Sequence, residues 1–134
     1  MYSIKKEFRF EAAHRLMLHK GACANIHGHS YRVEVVIEAP EVNENGMVID
    51  FGELDSFKDY LNSVFDHSLM LNRNDFLWKS FPTNLRICVI ENEPTAENLA
   101  REMYEWLIIQ VSGVRSVTVY ETQKCSATYQ VNIE

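Results

Sequence analysis

The stretch CANIHGHSYRVEVVI, residues 23–37, sets a cysteine four places ahead of a histidine pair, at the mouth of a run that alternates polar and apolar. In a strand, residues two apart project to the same side about 6.8 Å from one another. His27 and His29 can therefore reach one ion through zinc–nitrogen bonds of about 2.0–2.1 Å. An earlier alternating segment ends at His14. If the two segments pair antiparallel and residues 15–26 close the connection, His14 faces His27, because each stands at the edge of the loop. Three neutral imidazoles leave a tetrahedral zinc one open position, the arrangement of a catalytic site rather than a closed structural one. An HxH pair alone is weak; the register that adds His14 strengthens it.

Cys23 has two further readings beyond the small buried hydrophobe that a free cysteine usually is. Beside a dication its thiolate is favoured and could serve as base or nucleophile; as a fourth ligand it would instead close the site. Asp66 followed by His67 is either a carboxylate–imidazole proton relay or simple capping at a helix end. Glu121 shares the parity of Val117 and Val119, so its carboxylate points toward the apolar side and needs a partner. Paired N–H donors, as on the amidine edge of a pterin or guanine, would supply one, and so would an Arg or Lys. Thr95 and Glu97 read as an N-cap and a first-turn acid. His19, Cys88 and Cys125 are structural or incidental.

The elements that must position these groups follow from periodicity. Phe8, Phe10, Ala12 and His14 share one parity against Glu7, Arg9, Glu11 and Ala13. His27, His29, Tyr31, Val33, Val35 and Ile37 oppose Ser30, Arg32, Glu34 and Glu38, with Val36 the exception. A strand is expected over Met47–Phe51. A helix with a buried stripe of Leu54, Phe57, Leu61, Val64 and Phe65 should follow, capped by Asp50 and Glu53 and ending near Asp66. Residues 68–85 read as irregular and Arg86–Ile90 as a short strand. A second helix opens at Pro94 and Thr95 and buries Leu99, Met103, Trp106 and Leu107. Val117 and Val119, then Ala127, Tyr129, Val131 and Ile133, form two last strands joined by TQKCS. Strands at both ends with helices between them imply an α+β fold, an antiparallel sheet covered on one face.

The 134 residues fit a single domain over 1–134 with a core that needs neither disulfide nor structural metal, so a metal would be functional. Three cysteines at unrelated spacings do not make a secreted disulfide framework. No apolar run approaches the roughly 18 residues of a membrane span, and the first ten residues lack the apolar core of a signal peptide; a cytoplasmic protein is expected. Thirteen Lys and Arg against 19 Asp and Glu, a net charge of -6, argue against a non-specific nucleic-acid binder. A small phosphorylated substrate is compatible with that charge, since it needs only a local basic pocket.

The segments FEAAHRL, CANIHGHSY, VIDFGEL, DHSLMLN, PTAENLA and YETQKCSATY occur in the order and spacing of the 6-pyruvoyl-tetrahydropterin and 6-carboxy-tetrahydropterin synthase family, which the chain resembles over nearly its whole length. The resemblance implies a T-fold: an antiparallel four-stranded sheet with two helices on one face, subunits joining edge to edge into a trimeric barrel, and two trimers stacking into a homo-hexamer with interfacial active sites. It further implies His14, His27 and His29 as zinc ligands, Cys23 as general base, Asp66 and His67 as a catalytic dyad, and Glu121 as the pterin anchor, with Thr95 and Glu97 nearby in the substrate pocket. The implied substrate is 7,8-dihydroneopterin triphosphate. The carboxy branch, which loses triphosphate and acetaldehyde on the route to queuosine, usually reads Cys-x3-His-Gly-His, as here. The pyruvoyl branch, which only eliminates triphosphate on the way to biopterin, has a longer gap. Residues 73–92 exceed the shorter members in length, and Ser68 follows the dyad where a basic or polar residue is common, so triphosphate contacts stay unassigned. A cupin reading of His27, His29 and Glu34 fails because Glu34 lies on the wrong strand face and no later histidine follows His67. A non-catalytic zinc module would require Cys23 as a ligand, with Asp66 and His67 far from the metal.

Overall fold

The computed structural model describes residues 1–131. Strands β1 (Tyr2–His14) and β2 (His27–Ala39) form a long antiparallel hairpin whose register runs without a break from Tyr2 opposite Ala39 to His14 opposite His27. Strand β5 (Val114–Tyr120) pairs antiparallel with β2, with an irregularity at Val36 and Ile37, and β6 (Ser126–Gln130) pairs antiparallel with β5. This is the expected four-stranded antiparallel sheet. Two short strands, β3 (Ser68–Asn72) and β4 (Ile87–Ile90), extend it beyond β1 and run parallel to it, giving the order β4-β3-β1-β2-β5-β6.

Alternation decides the faces. Phe8, Phe10, Ala12 and His14 are buried along β1, while their neighbours Glu7, Arg9 and Glu11 are exposed. Helices α1 (Asp55–Tyr60) and α2 (Ala96–Gln110) cover that apolar face. Phe57 of α1 meets Phe8 edge-on at 5.0 Å, and Tyr104 of α2 meets Tyr129 at 5.1 Å. Leu99, Met103 and Leu107 of α2 are fully enclosed, and burial of each stabilises the fold by roughly 1.5–3 kcal/mol. Among the described residues, no helix is long and apolar enough to cross a membrane.

Several expected elements differ. Met47–Phe51 is not a strand, because its backbone donors are used elsewhere. The Asn43 side chain accepts from the N–H groups of Asn45 and Met47, Gly46 turns the chain at φ +80°, and Asp50 with Glu53 forms a reciprocal capping box. The first helix begins as a 3-10 turn over Phe51–Leu54 and ends as a wider π-turn over Leu61–Phe65. That widening shifts the helical phase, so Val64 is exposed where the stripe expected it buried. Residues 68–85 contain β3, whose Met70 and Leu71 are both enclosed; a strand covered on both faces shows no alternation to read. Trp106 is only partly covered and stacks on Tyr60 at 4.3 Å. Val131 lies beyond β6, and Ile133 is outside the described residues.

Candidate active site

His14, His27 and His29 converge where the β1–β2 hairpin opens into its loop. Their ring centroids lie 4.6 to 5.1 Å apart, and one nitrogen from each falls within 4.8 Å of the others. The tautomers are set by backbone. His14 Nδ1 lies 2.7 Å from the carbonyl oxygen of Pro94, and His27 Nδ1 lies 2.8 Å from that of Asn25. A carbonyl can only accept, so each Nδ1 carries the proton and each Nε2 presents a lone pair. Those two Nε2 atoms face one another at 3.1 Å, an arrangement that repels unless a cation or proton lies between them. His29 Nε2 is buried with no partner. Three inward acceptors, two of them oriented by backbone carbonyls, form the donor set that a divalent ion takes. His14, 1% exposed, has its pKa lowered mainly by burial, opposed by the Pro94 hydrogen bond and the charge of Glu121, so the neutral ligand form is favoured.

Cys23 is half-buried in the 3-10 turn Ala22–Ala24, and among the described residues the group of mutually close ligand atoms contains no thiol or carboxylate. Three imidazoles therefore leave a tetrahedral ion a free position. The Cys23 carbonyl accepts from Leu16 N–H at 2.9 Å, which folds the loop onto its own root. At that root Arg15 makes a two-pronged pair with the fully enclosed Asp75, at 2.6 and 3.0 Å, tying the extra segment after β3 to the residue next to His14.

Glu121 is half-buried one step past the rung that pairs Arg32 with Tyr120; its charge partly offsets the burial that lowers the pKa of His14, and it adds to the burial that raises that of Tyr31. The carboxylate thus lies within electrostatic reach of both groups. Tyr31 is fully enclosed, its hydroxyl has no partner, and burial pushes its phenol far above the ordinary value. Thr95 caps α2 by accepting from Asn98 N–H, and the preceding Pro94 supplies the carbonyl that holds His14. Glu97 is exposed in the first turn of α2.

Asp66 and His67 form a pair, Nδ1 to Oδ2 at 2.8 Å, but neither joins the group of mutually close ligand atoms made by the three imidazoles. Asp66 accepts from Glu11 N–H at 2.9 Å, and that bond is the main cause of its lowered pKa. His67 adopts φ +58°, a left-handed conformation uncommon outside glycine, and its side chain is 77% exposed. With Glu11, Ala13, Gly28, Ser30 and one of the three clustered histidines, His29, it lines an open depression of about 480 Å³ over the β1–β2 hairpin. Residue patterns missed the Pro94 and Asn25 carbonyls and the Arg15–Asp75 pair, which carry no signal in side-chain spacing. Tyr31 could have been found, since it shares the parity of His29.

Residues 3–132 match the family model described as 6-pyruvoyl tetrahydropterin synthase. The 6-carboxy-5,6,7,8-tetrahydropterin synthase of Rickettsia typhi is 37% identical, covering 93% of this chain and 97% of that protein. The protein of the same name from Aquifex aeolicus is 30% identical over 96% of this chain and 98% of its own length. Among solved structures, the 6-pyruvoyl tetrahydropterin synthase of Caenorhabditis elegans superposes with a TM-score of 0.71 at 28% identity, covering 98% of this chain and 96% of that one. A protein from Wolinella succinogenes superposes with a TM-score of 0.89 at 24% identity over 98% of both chains, a likeness of fold.

Proposed function

Because this chain belongs to the 6-pyruvoyl tetrahydropterin synthase family, we propose that it is a cytoplasmic, zinc-dependent lyase converting 7,8-dihydroneopterin triphosphate and one water to 6-carboxy-5,6,7,8-tetrahydropterin, triphosphate and acetaldehyde, on the deazaguanine route to queuosine. The observation that carries the metal-dependent reading is the convergence of one nitrogen from each of three imidazoles, with the Nε2 atoms of His14 and His27 face to face at 3.1 Å and that of His29 buried and unpartnered. His14, His27 and His29 hold the zinc. Zinc bound there supplies Lewis-acid polarisation of a substrate side-chain oxygen, which makes the adjacent C–H bond more acidic.

The chain's own groups do the rest. Glu121 accepts the paired N–H donors of the pterin ring and fixes its orientation, with Thr95 and Glu97 in the same pocket. Cys23 as thiolate removes a carbon-bound proton, and His67, oriented by Asp66, returns one, isomerising the side chain so that triphosphate can leave. Within one chain neither Asp66 nor His67 joins the group of the three imidazoles, and the His67 side chain is largely exposed, which supports an assembly in which neighbouring subunits complete each other's sites, the homo-hexamer of stacked trimers. The spacing of Ala24, Asn25 and Ile26 between Cys23 and His27, together with the names of the relatives, favours the carboxy product.

Incubating purified protein with dihydroneopterin triphosphate, with and without a chelator, and identifying products by mass spectrometry tests the reading. 6-Carboxytetrahydropterin with acetaldehyde is expected. 6-Pyruvoyl-tetrahydropterin alone would move the chain to the other branch, and metal-independent behaviour of a folded, inert sample would overturn the enzyme.

A further inference from the structure

We infer that Glu93 is a positioning residue for the thiol of Cys23. The inference rests on the proposed reading of Cys23 as the base. The loop that carries this cysteine, residues 15–26, has little apolar anchoring at its tip: Leu18 is 70% exposed, and residues 19–21 are exposed as well. Hydrogen bonds must therefore hold it, and most close within the loop itself. His19 N–H donates to Leu16, Ala24 N–H to Gly21 and Asn25 N–H to Ala22, while Leu16 N–H reaches Cys23. Among the described residues, one hydrogen bond ties residues 17–24 to an element outside the loop: Leu18 N–H donates to Glu93 Oε2 at 3.1 Å.

The other oxygen of Glu93 is also committed. Oε1 accepts from Asn72 Nδ2 at 3.0 Å, and Asn72, buried at the end of β3, is itself oriented because its Oδ1 accepts from Asn74 N–H. The backbone of Glu93 joins the same unit, its carbonyl accepting from Thr95 N–H and from Asn98 Nδ2 at the start of α2. The next residue, Pro94, holds His14. One carboxylate thus fixes the loop of the thiol to the frame that orients an imidazole of the metal site. Two acceptors on one side chain are required. Glutamine has one oxygen and would turn N–H donors toward a donor, and alanine has neither.

The test compares Glu93→Ala and Glu93→Gln with the parent and with Glu91→Ala, which removes an equal charge at the exposed Arg73 pair and leaves the loop untouched. In zinc-loaded protein without substrate, alkylation of Cys23 by iodoacetamide is followed by peptide mass mapping, with exposed Cys125 and buried Cys88 as internal references. For Glu93→Ala the Cys23 rate relative to Cys125 is expected to rise about threefold or more as the loop opens locally. Zinc per chain is expected to stay at the parental ratio. With dihydroneopterin triphosphate, kcat is expected to fall roughly tenfold with KM within about twofold, since a small misplacement of a reacting group lowers the rate more than it weakens binding. Glu93→Gln should fall between, and Glu91→Ala should match the parent.

Parental alkylation and kcat in Glu93→Ala would overturn the inference, and so would a loss of kcat that tracks loss of zinc. If the alanine variant does not fold, the glutamine variant carries the same comparison; collapse of both would make Glu93 a fold determinant only and also overturn it. A parent without turnover would sink the proposed activity while leaving the alkylation comparison decisive for Glu93.

Discussion

Two variants that are each inactive alone decide whether the site is shared between chains. Asp66 is bonded to the backbone of Glu11, whose side chain is exposed, and the His67 side chain is largely exposed, while His14 is enclosed on the core face of the β1–β2 hairpin. Neither Asp66 nor His67 joins the imidazole group within one chain, so in the proposed reading a second copy supplies the dyad. In a closed ring each chain meets the next through a head-to-tail contact, so every site takes its thiol from one protomer and its dyad from the neighbour. Cys23→Ala chains keep the dyad and His67→Ala chains keep the thiol. Unfolded together in equal amounts and refolded with zinc, they distribute at random. A working site needs a His67→Ala chain followed by a Cys23→Ala chain in that one order, a chance of one half times one half. Recovered turnover is then about one quarter of the parent per site. If thiol and dyad act within one chain, no mixture contains an intact site and recovery is nil. Turnover is read from product formation at saturating substrate, and mixing is verified by native mass spectrometry. Complete mixing with turnover no greater than that of the separate variants would refute the reasoning.

Zinc removal and His29→Leu should act with opposite signs. Without metal the leucine variant holds or raises Tm, since it deletes an unpartnered buried nitrogen; with zinc at about a thousandfold over its Kd, the parent gains roughly 10 °C and the variant does not, as scanning calorimetry would show. Glu121→Gln should lower kcat/KM by about 10- to 100-fold with zinc content unchanged, because a charge-assisted acceptor for the ring is lost. Asp66→Asn leaves an oxygen for Glu11 N–H but removes the acceptor for His67 Nδ1–H, so kcat should fall about a hundredfold in steady-state assays while far-UV circular dichroism stays parental. The folded pKa of Asp66 lies below its ordinary 3.8, so its contribution to stability is complete above that value and is lost as pH falls through the lower folded value. The urea-melt advantage of the parent over Asp66→Asn should therefore shrink as pH falls below the ordinary 3.8.

The metal site was legible because it is made of side chains whose placement is arithmetic. Alternation puts His27 and His29 on one face, and a hairpin whose loop begins after one histidine and ends before another brings His14 opposite His27, as the register shows. The helix cap at Thr95 followed from an equally local rule. What decides the chemistry of the imidazoles was not legible, because it is backbone. The carbonyl of Pro94 is 80 residues from His14, and no residue type at position 94 advertises an acceptor that every residue has. The position of the dyad was hidden for a related reason. The adjacency of Asp66 and His67 gave their contact, but the left-handed turn at His67, on a residue type that only occasionally adopts it, decides where the ring is placed. Sequence spacing therefore identified a histidine cluster and an Asp–His pair but left them free to be read as one site within one chain. In the proposed assembly a second copy joins them, and edge pairing of a short open sheet is then part of the proposed catalysis as well as a protection for bare strand edges.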